Sequence, residues 1–293
     1  MSTSPTEAPS PATATDPSRP RRRLPGRGGT ALRVVLAVLV MLVGTFTPGI
    51  IMVPLRLAMF PTDMAGAVLG IVARSVASLF ALLVTWLLVT RLDGGNLSDL
   101  RLRVDRRALA WMLAMVVAAA AVAAVMGVVM DLLGIEPVGG GLTDPALPAI
   151  GVLLLGTVGL AFLHQGFPEE LVWRGWFFRS LGGTRRAGAI SVIVFTLMHI
   201  ISNGGQENWI ERILYLAVPF GLAVAAVVVA WVSGSTWAAV GVHGGSHMAA
   251  LVLAAMRTDG NHPVAWVLEG ALWLVVAGVV WLLARRRILT PAR

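Results

Sequence analysis

Phe167-Pro168-Glu169-Glu170-Leu171-Val172-Trp173-Arg174 sets two adjacent acids inside an apolar run that extends from about residue 148 to 183. An acid at the centre of a bilayer costs several kcal/mol, so a chain that keeps one there uses it. Composition says which setting applies. Of 293 residues, 57% are hydrophobic and 13% charged, and the mean hydropathy is +0.80. Soluble domains carry roughly 25% charged residues. The expected fold is therefore all-α: a polytopic membrane helix bundle with a polar site near mid-membrane.

Working outward from the acid pair, further apolar stretches lie at about 32–55, 66–90, 108–130, 187–202, 212–232, 236–256 and 264–284. Most suit helices of about 20 residues crossing a core of roughly 30 Å. With the central run, this predicts about eight transmembrane helices. The run 148–183 is long for one straight span and contains Pro168, which predicts a kink or a break; a break would make nine. Residues 1–30 lack any apolar period and read as a disordered cytoplasmic tail. Residues 31–293 are the transmembrane domain. Arg21-Arg22-Arg23 before an apolar run resembles a signal peptide, but the run exceeds an h-region of about 7–15 residues and no A-x-A site ends it.

Every basic residue is Arg, and the formal net charge is +8. The arginines cluster where a membrane topology wants them. Arg19, Arg21, Arg22, Arg23, Arg27 and Arg33 precede or open the first span. Arg91, Arg101, Arg103, Arg106 and Arg107 follow the second. Arg179, Arg185 and Arg186 follow the acid pair, and Arg285, Arg286 and Arg287 end the last span. The loop 131–147 carries Asp131, Glu136 and Asp144 and no Arg. Eight spans in a cell membrane with both termini cytoplasmic fit this pattern. Richness in Ala, Val, Gly and Pro fits a GC-rich bacterial genome, and no aromatic-interleaved basic patch points to nucleic acid. With no cysteine, a thiolate nucleophile and a disulfide are excluded, and any metal would need His and carboxylate ligands.

Counting helical rise from the cytoplasmic arginines puts Glu169 roughly 22 Å deep, His199 roughly 20 Å, and His243 and His247 roughly 12 and 18 Å. Four polar groups from three spans thus fall near one depth. Glu170 and Arg174 are four apart and share a helix face; they form either a pair that orients a carboxylate or a buried pair that locks packing. Glu169 points about 100° away, toward a prospective water. His243 and His247 in Gly241-Val242-His243-Gly244-Gly245-Ser246-His247 share a face by the same spacing. That suits a metal clamp, a hydrogen-bonded water site, or two satisfied histidines in a small-residue seam. Gly241, Gly244 and Gly245 permit close helix approach. Together the set offers a base, imidazoles and a cation, the parts needed to activate water against a carbonyl. HExxH, a serine nucleophile elbow and a P-loop are absent.

Three motifs in order carry a family resemblance. Glu169, Glu170 and Arg174 fill Glu-Glu-x-x-x-Arg; Phe195 and His199 fill Phe-x-x-x-His; His243 opens His-x-x-x-Asn. Over about 148–256 the chain resembles the CAAX-protease and bacteriocin-processing family of intramembrane endopeptidases, which includes the type 2 CAAX prenyl protease. The resemblance implies hydrolysis of a peptide bond in a peptide or membrane-protein substrate within the bilayer. It implies Glu169 as general base, Glu170 fixed by Arg174 as its orienting partner, and His199 and His243 binding the oxyanion or a metal. Family members have been described both as metalloproteases and as glutamate proteases; zinc on His199, His243 and His247 is the metal version. His247 stands where the family usually has Asn. It can donate one hydrogen bond as Asn does, act as a further metal ligand, or mark a site that has lost activity. The alternative to an enzyme is then a catalytically silent homologue serving as a bacteriocin-immunity or partner-binding protein. A proton-coupled transporter ranks third, because no internal repeat is visible. His164 is a second-sphere candidate, Glu269 reads as interfacial at the outer end of the last span, and Trp173 and Trp176 read as packing residues.

Overall fold

The computed structural model describes residues 26–54, 61–139, 141–143 and 148–289. Residues 1–25 of the expected tail lie outside them, while Gly26 to Thr30, counted with that tail from sequence, form the start of the first helix. Eight helical segments follow, and no strand occurs among the described residues. They are α1 (Gly26–Met52), α2 (Met64–Asp93), α3 (Arg106–Leu132), α4 (Ile150–Ser180), α5 (Arg185–Met198, extended by a 3₁₀ turn His199–Ile201), α6 (Trp209–Ser233), α7 (Thr236–Ala255) and α8 (Pro263–Leu289).

Short polar residues start the helices where the apolar runs begin. Asp63, Asp105, Thr184, Asn208 and Ser235 each accept a hydrogen bond from a backbone N–H of the following first turn. Such caps satisfy donors that have no partner within the helix. Gly234, at φ +73°, ends α6 and lets α7 begin two residues later. Along α1 the large residues Val35, Leu39, Val43, Phe46 and Ile50 point outward, while Ala37, Gly44 and other small residues point in. That inversion of a soluble helix is expected where lipid, not water, is the solvent and close packing drives association.

Seven of the helices are long and apolar enough to cross a membrane. The eighth expected span, 187–202, is the exception: α5 has 14 residues, about 21 Å of rise against a core of about 30 Å. The chain nevertheless returns across the bundle here. Arg174 and Arg179 of α4 bond to the carbonyls of Ala223 and Ala230 of α6 in the same order, so α4 and α6 run parallel. The segment between them, α5 with its 3₁₀ turn and the polar loop to Asn208, must bring the chain back. The eight apolar stretches read from sequence thus become seven helices of spanning length and one shorter helix, α5.

Pro168 does not break α4. A proline lacks the N–H that an α-helix needs at its interior, and the helix absorbs this by widening. Gly159–Gly166 and Leu171–Phe177 are π-helical on either side of the short α segment Phe167–Glu170. Insertions of this kind gather at functional sites. The eight residues from Leu171 to Phe178 are all buried, which makes this half of α4 the centre of the bundle.

α7 is the second central helix. Backbone approaches replace side-chain packing on two of its faces. A Cβ on Gly241 would lie 2.9 Å from Met112 Cα of α3, and one on Gly245 would lie 3.0 Å from Val116 Cα. On the α4 side, a Cβ on Gly166 would lie 2.8 Å from the Gly244 nitrogen. The expectation that this glycine run brings helices together is met. Gly241→Val should therefore force α3 and α7 apart and cost about 1–3 kcal/mol. A lower melting temperature in detergent is the expected readout, and an unchanged one would contradict the packing.

Candidate active site

Glu170 sits at the junction between the α and π segments of α4 and is 1% exposed. Its Oε1 accepts from two donors: Arg174 Nη1 at 2.9 Å and His243 Nδ1 at 3.0 Å. Arg174 is fully buried and spends its other terminal nitrogen on the Ala223 carbonyl at 3.0 Å. Its guanidinium also lies 4.8 Å from the centre of the Phe195 ring. One carboxylate oxygen thus joins α4 to α7, and one guanidinium joins α4 to α6 and α5. A buried charge survives when paired and bonded in this way.

Phe195 is the hub of the histidines. Its ring centre lies 4.6 Å from that of His199 and 6.0 Å from that of His243, the latter nearly perpendicular. His243 and His247 have ring centres 5.1 Å apart. His199 Nδ1 lies 2.8 Å from the Phe195 carbonyl oxygen. A carbonyl can only accept, so Nδ1 carries the proton, and in the neutral ring Nε2 keeps its lone pair. His243 Nδ1 likewise donates, to Glu170 Oε1.

Glu169 is treated differently from its neighbour. It is 8% exposed, it lacks the Oε1 anchors that Glu170 has, its Oε2 is buried without a hydrogen bond, as is that of Glu170, and it lies within electrostatic reach of His243, Glu170 and Arg174. All six residues singled out by sequence therefore belong to one cluster. Glu170, Arg174 and His243 are directly bonded. His199 and His247 join through ring contacts, and Glu169 lies beside them with a free oxygen.

Zinc on His199, His243 and His247 requires these side chains to converge. Among the described residues no group of three or more His, Asp or Glu is arranged as metal ligands. The donor set present does not fit a three-ligand zinc site.

Other expectations change in detail. His164 bonds through Nε2 to the Thr45 carbonyl at 3.0 Å and so ties α4 to α1. Glu269 turns toward α7, where Ser246 Oγ donates to it at 2.6 Å; depth counted along one helix cannot show a partner on the next. Trp173 and Trp176 are packing residues as expected, both essentially fully buried, but Trp176 Nε1 also donates to Asp93 at 2.7 Å. Asp93 pairs with Arg33 as well, fastening α1, α2 and α4 at the Arg-rich end. The Ala223 carbonyl and Asp93 were not found from sequence. A backbone acceptor has no side-chain signature, and Asp93 lies just past the apolar stretch 66–90, far in sequence from Arg33 and Trp176.

This is a membrane-embedded helical bundle with a carboxylate, imidazole and guanidinium cluster on its two central helices. Residues 151–249 match the family model described as type II CAAX prenyl endopeptidase Rce1-like. Over these residues, about a third of the chain, the sequence is similar to that family. The match takes in nearly all of α4, the whole of α5 and α6, and α7 as far as Ala249, and with them the three motifs. No curated protein matches the chain.

Proposed function

We propose that the chain is an intramembrane endopeptidase in which Glu169 activates water against a peptide carbonyl. The observation that supports this most is the inequality of the two adjacent glutamates. Glu170 is anchored through Oε1 by Arg174 and His243, whereas Glu169 has no such anchor; each keeps a buried, unbonded Oε2, but only that of Glu169 belongs to a carboxylate that no side chain holds. A carboxylate that no side chain holds can turn toward a water, and one shared by Arg174 and His243 cannot.

Glu169 takes a proton from water while the water oxygen attacks the carbonyl carbon. The carbonyl π-electrons move to oxygen and form a tetrahedral oxyanion. His243, held through Nδ1 by the Glu170 carboxylate, is the group best supported as an imidazolium, and its Nε2–H would then bind that oxyanion. His199 presents its Nε2 lone pair and would hold the second proton of the attacking water. The intermediate collapses, the C–N bond breaks, and the proton on Glu169 passes to the leaving amine. The products are a carboxylic acid and an amine, which share out the remaining water proton as a carboxylate and an ammonium, and Glu169 is regenerated as the carboxylate. Arg174 acts through Glu170 and is a positioning residue. His247 stacks on His243 and, in place of the family's usual Asn, would fix its ring.

The Arg-rich end of the bundle holds Arg33, Arg101, Arg107, Arg179 and Arg285, and the positive-inside rule assigns it to the cytoplasm with both termini. The substrate would be a peptide or membrane-protein segment reaching the site from the bilayer, and the cell would be bacterial.

The test is cleavage of membrane-inserted fluorogenic peptides by the protein reconstituted in liposomes, with and without a strong zinc chelator. This mechanism predicts cleavage that the chelator leaves unchanged. Loss of cleavage on chelation, restored by zinc, would replace it with a metal-assisted mechanism. No cleavage by the wild type, together with intact biological activity of Glu169→Ala, would favour the catalytically silent immunity or partner-binding homologue.

A further inference from the structure

At the Arg-rich end a cavity of about 1000 Å³ opens between α3, α6 and α8. Its walls are apolar, built around Met115 and the indoles of Trp111, Trp231 and Trp281. Arg107, from the first turn of α3, and Arg285, near the end of α8, stand at its lining, and no acid among the described residues lines it. Trp231 and Trp281 lie with ring centres 5.4 Å apart, and the Arg185 guanidinium is 5.9 Å from the Trp281 ring centre. The cavity has the size of a small-molecule site, roughly 300–1000 Å³.

Single arginines and tryptophans at helix ends are ordinary anchors. Here the arginines come from α3 and α8, distant in sequence, and share one hollow with three indoles. Arg107 and Arg285 are exposed, so each guanidinium can face a phosphate at the level of the headgroups. Charge complementarity thus points to an occupant with an anionic head and an apolar tail, since basic pockets between transmembrane helices bind acidic lipid heads.

We propose that this cavity is a binding site for an anionic phospholipid, with an acyl chain among the three indoles and the phosphate between Arg107 and Arg285. The site does not depend on the catalytic reading. It sits against the apolar cluster in which Met115 of α3 packs with Ala238, Ala239 and Val242 of α7, so a bound lipid would brace the helix that carries His243.

The experiment is native mass spectrometry of the full chain in detergent, titrated with phosphatidylglycerol and, separately, phosphatidylcholine. The wild type should hold phosphatidylglycerol more tightly, and that preference should fall as ionic strength rises. A basic side chain near a membrane surface is worth about fivefold, so Arg107→Gln with Arg285→Gln should weaken phosphatidylglycerol by about 25-fold. Ala114→Trp keeps both arginines but fills the hollow, and it should displace either lipid. Equal binding of the two lipids by the wild type overturns the proposal, as does salt-independent binding or full retention by the double variant. The salt series needs no variant, so it decides the matter even if a variant fails to fold.

Discussion

Arg174→Ala is expected to unfold or severely weaken the bundle, a loss of about 3–5 kcal/mol. The guanidinium is fully buried and makes three contacts at once: Glu170 Oε1, the Ala223 carbonyl and the Phe195 ring. Truncation strands a buried carboxylate, removes the donor to a buried carbonyl and opens a void beside Phe195. Arg174→Lys should not restore stability, because one ammonium cannot reproduce a planar fork that points at two acceptors on different helices. Thermal unfolding in detergent measures this. A variant as stable as the wild type would mean that the Glu170–Arg174 pair does not hold α4 to α6.

Glu169→Gln is expected to behave in the opposite way. The side chain makes no hydrogen bond through Oε2, and replacing a buried acid by its isosteric amide removes a charge that burial disfavours. Stability should stay the same or rise, while peptide cleavage should fall by about 10²–10⁴-fold, the usual worth of a general base. Glu170→Gln should lower both, because its oxygen is the shared acceptor of Arg174 and His243. Unfolding curves and turnover of the same inserted peptide, read side by side for the two variants, separate the roles. Equal losses of activity and stability in both would show that the pair is structural throughout.

Much of the molecule could be read from sequence because membrane segments announce themselves by length and apolarity. The i, i+4 spacings of Glu170 with Arg174 and of His243 with His247 transferred directly into shared helix faces. Depth counted from arginines put Glu169, His199, His243 and His247 near one level, and in the structure they lie in one cluster. Sequence reasoning fell short where the backbone itself acts. Pro168 suggested a kink, and the helix widened into π turns instead, a response that depends on how neighbouring helices pack. The Ala223 carbonyl carries no sign in its side chain that it accepts from Arg174. The convergence of three histidines on zinc also failed to appear, because sharing a depth does not make lone pairs point at one spot.

The central claim is that Glu169 makes this bundle a protease. The most direct measurement is a mass-spectrometric map of new peptide termini in the membrane fraction of cells producing the wild type or Glu169→Gln at equal levels. The account predicts a set of termini within or next to transmembrane segments that is present with the wild type and lost with the variant. Identical maps from the two proteins, with both shown to be folded and inserted, would contradict it.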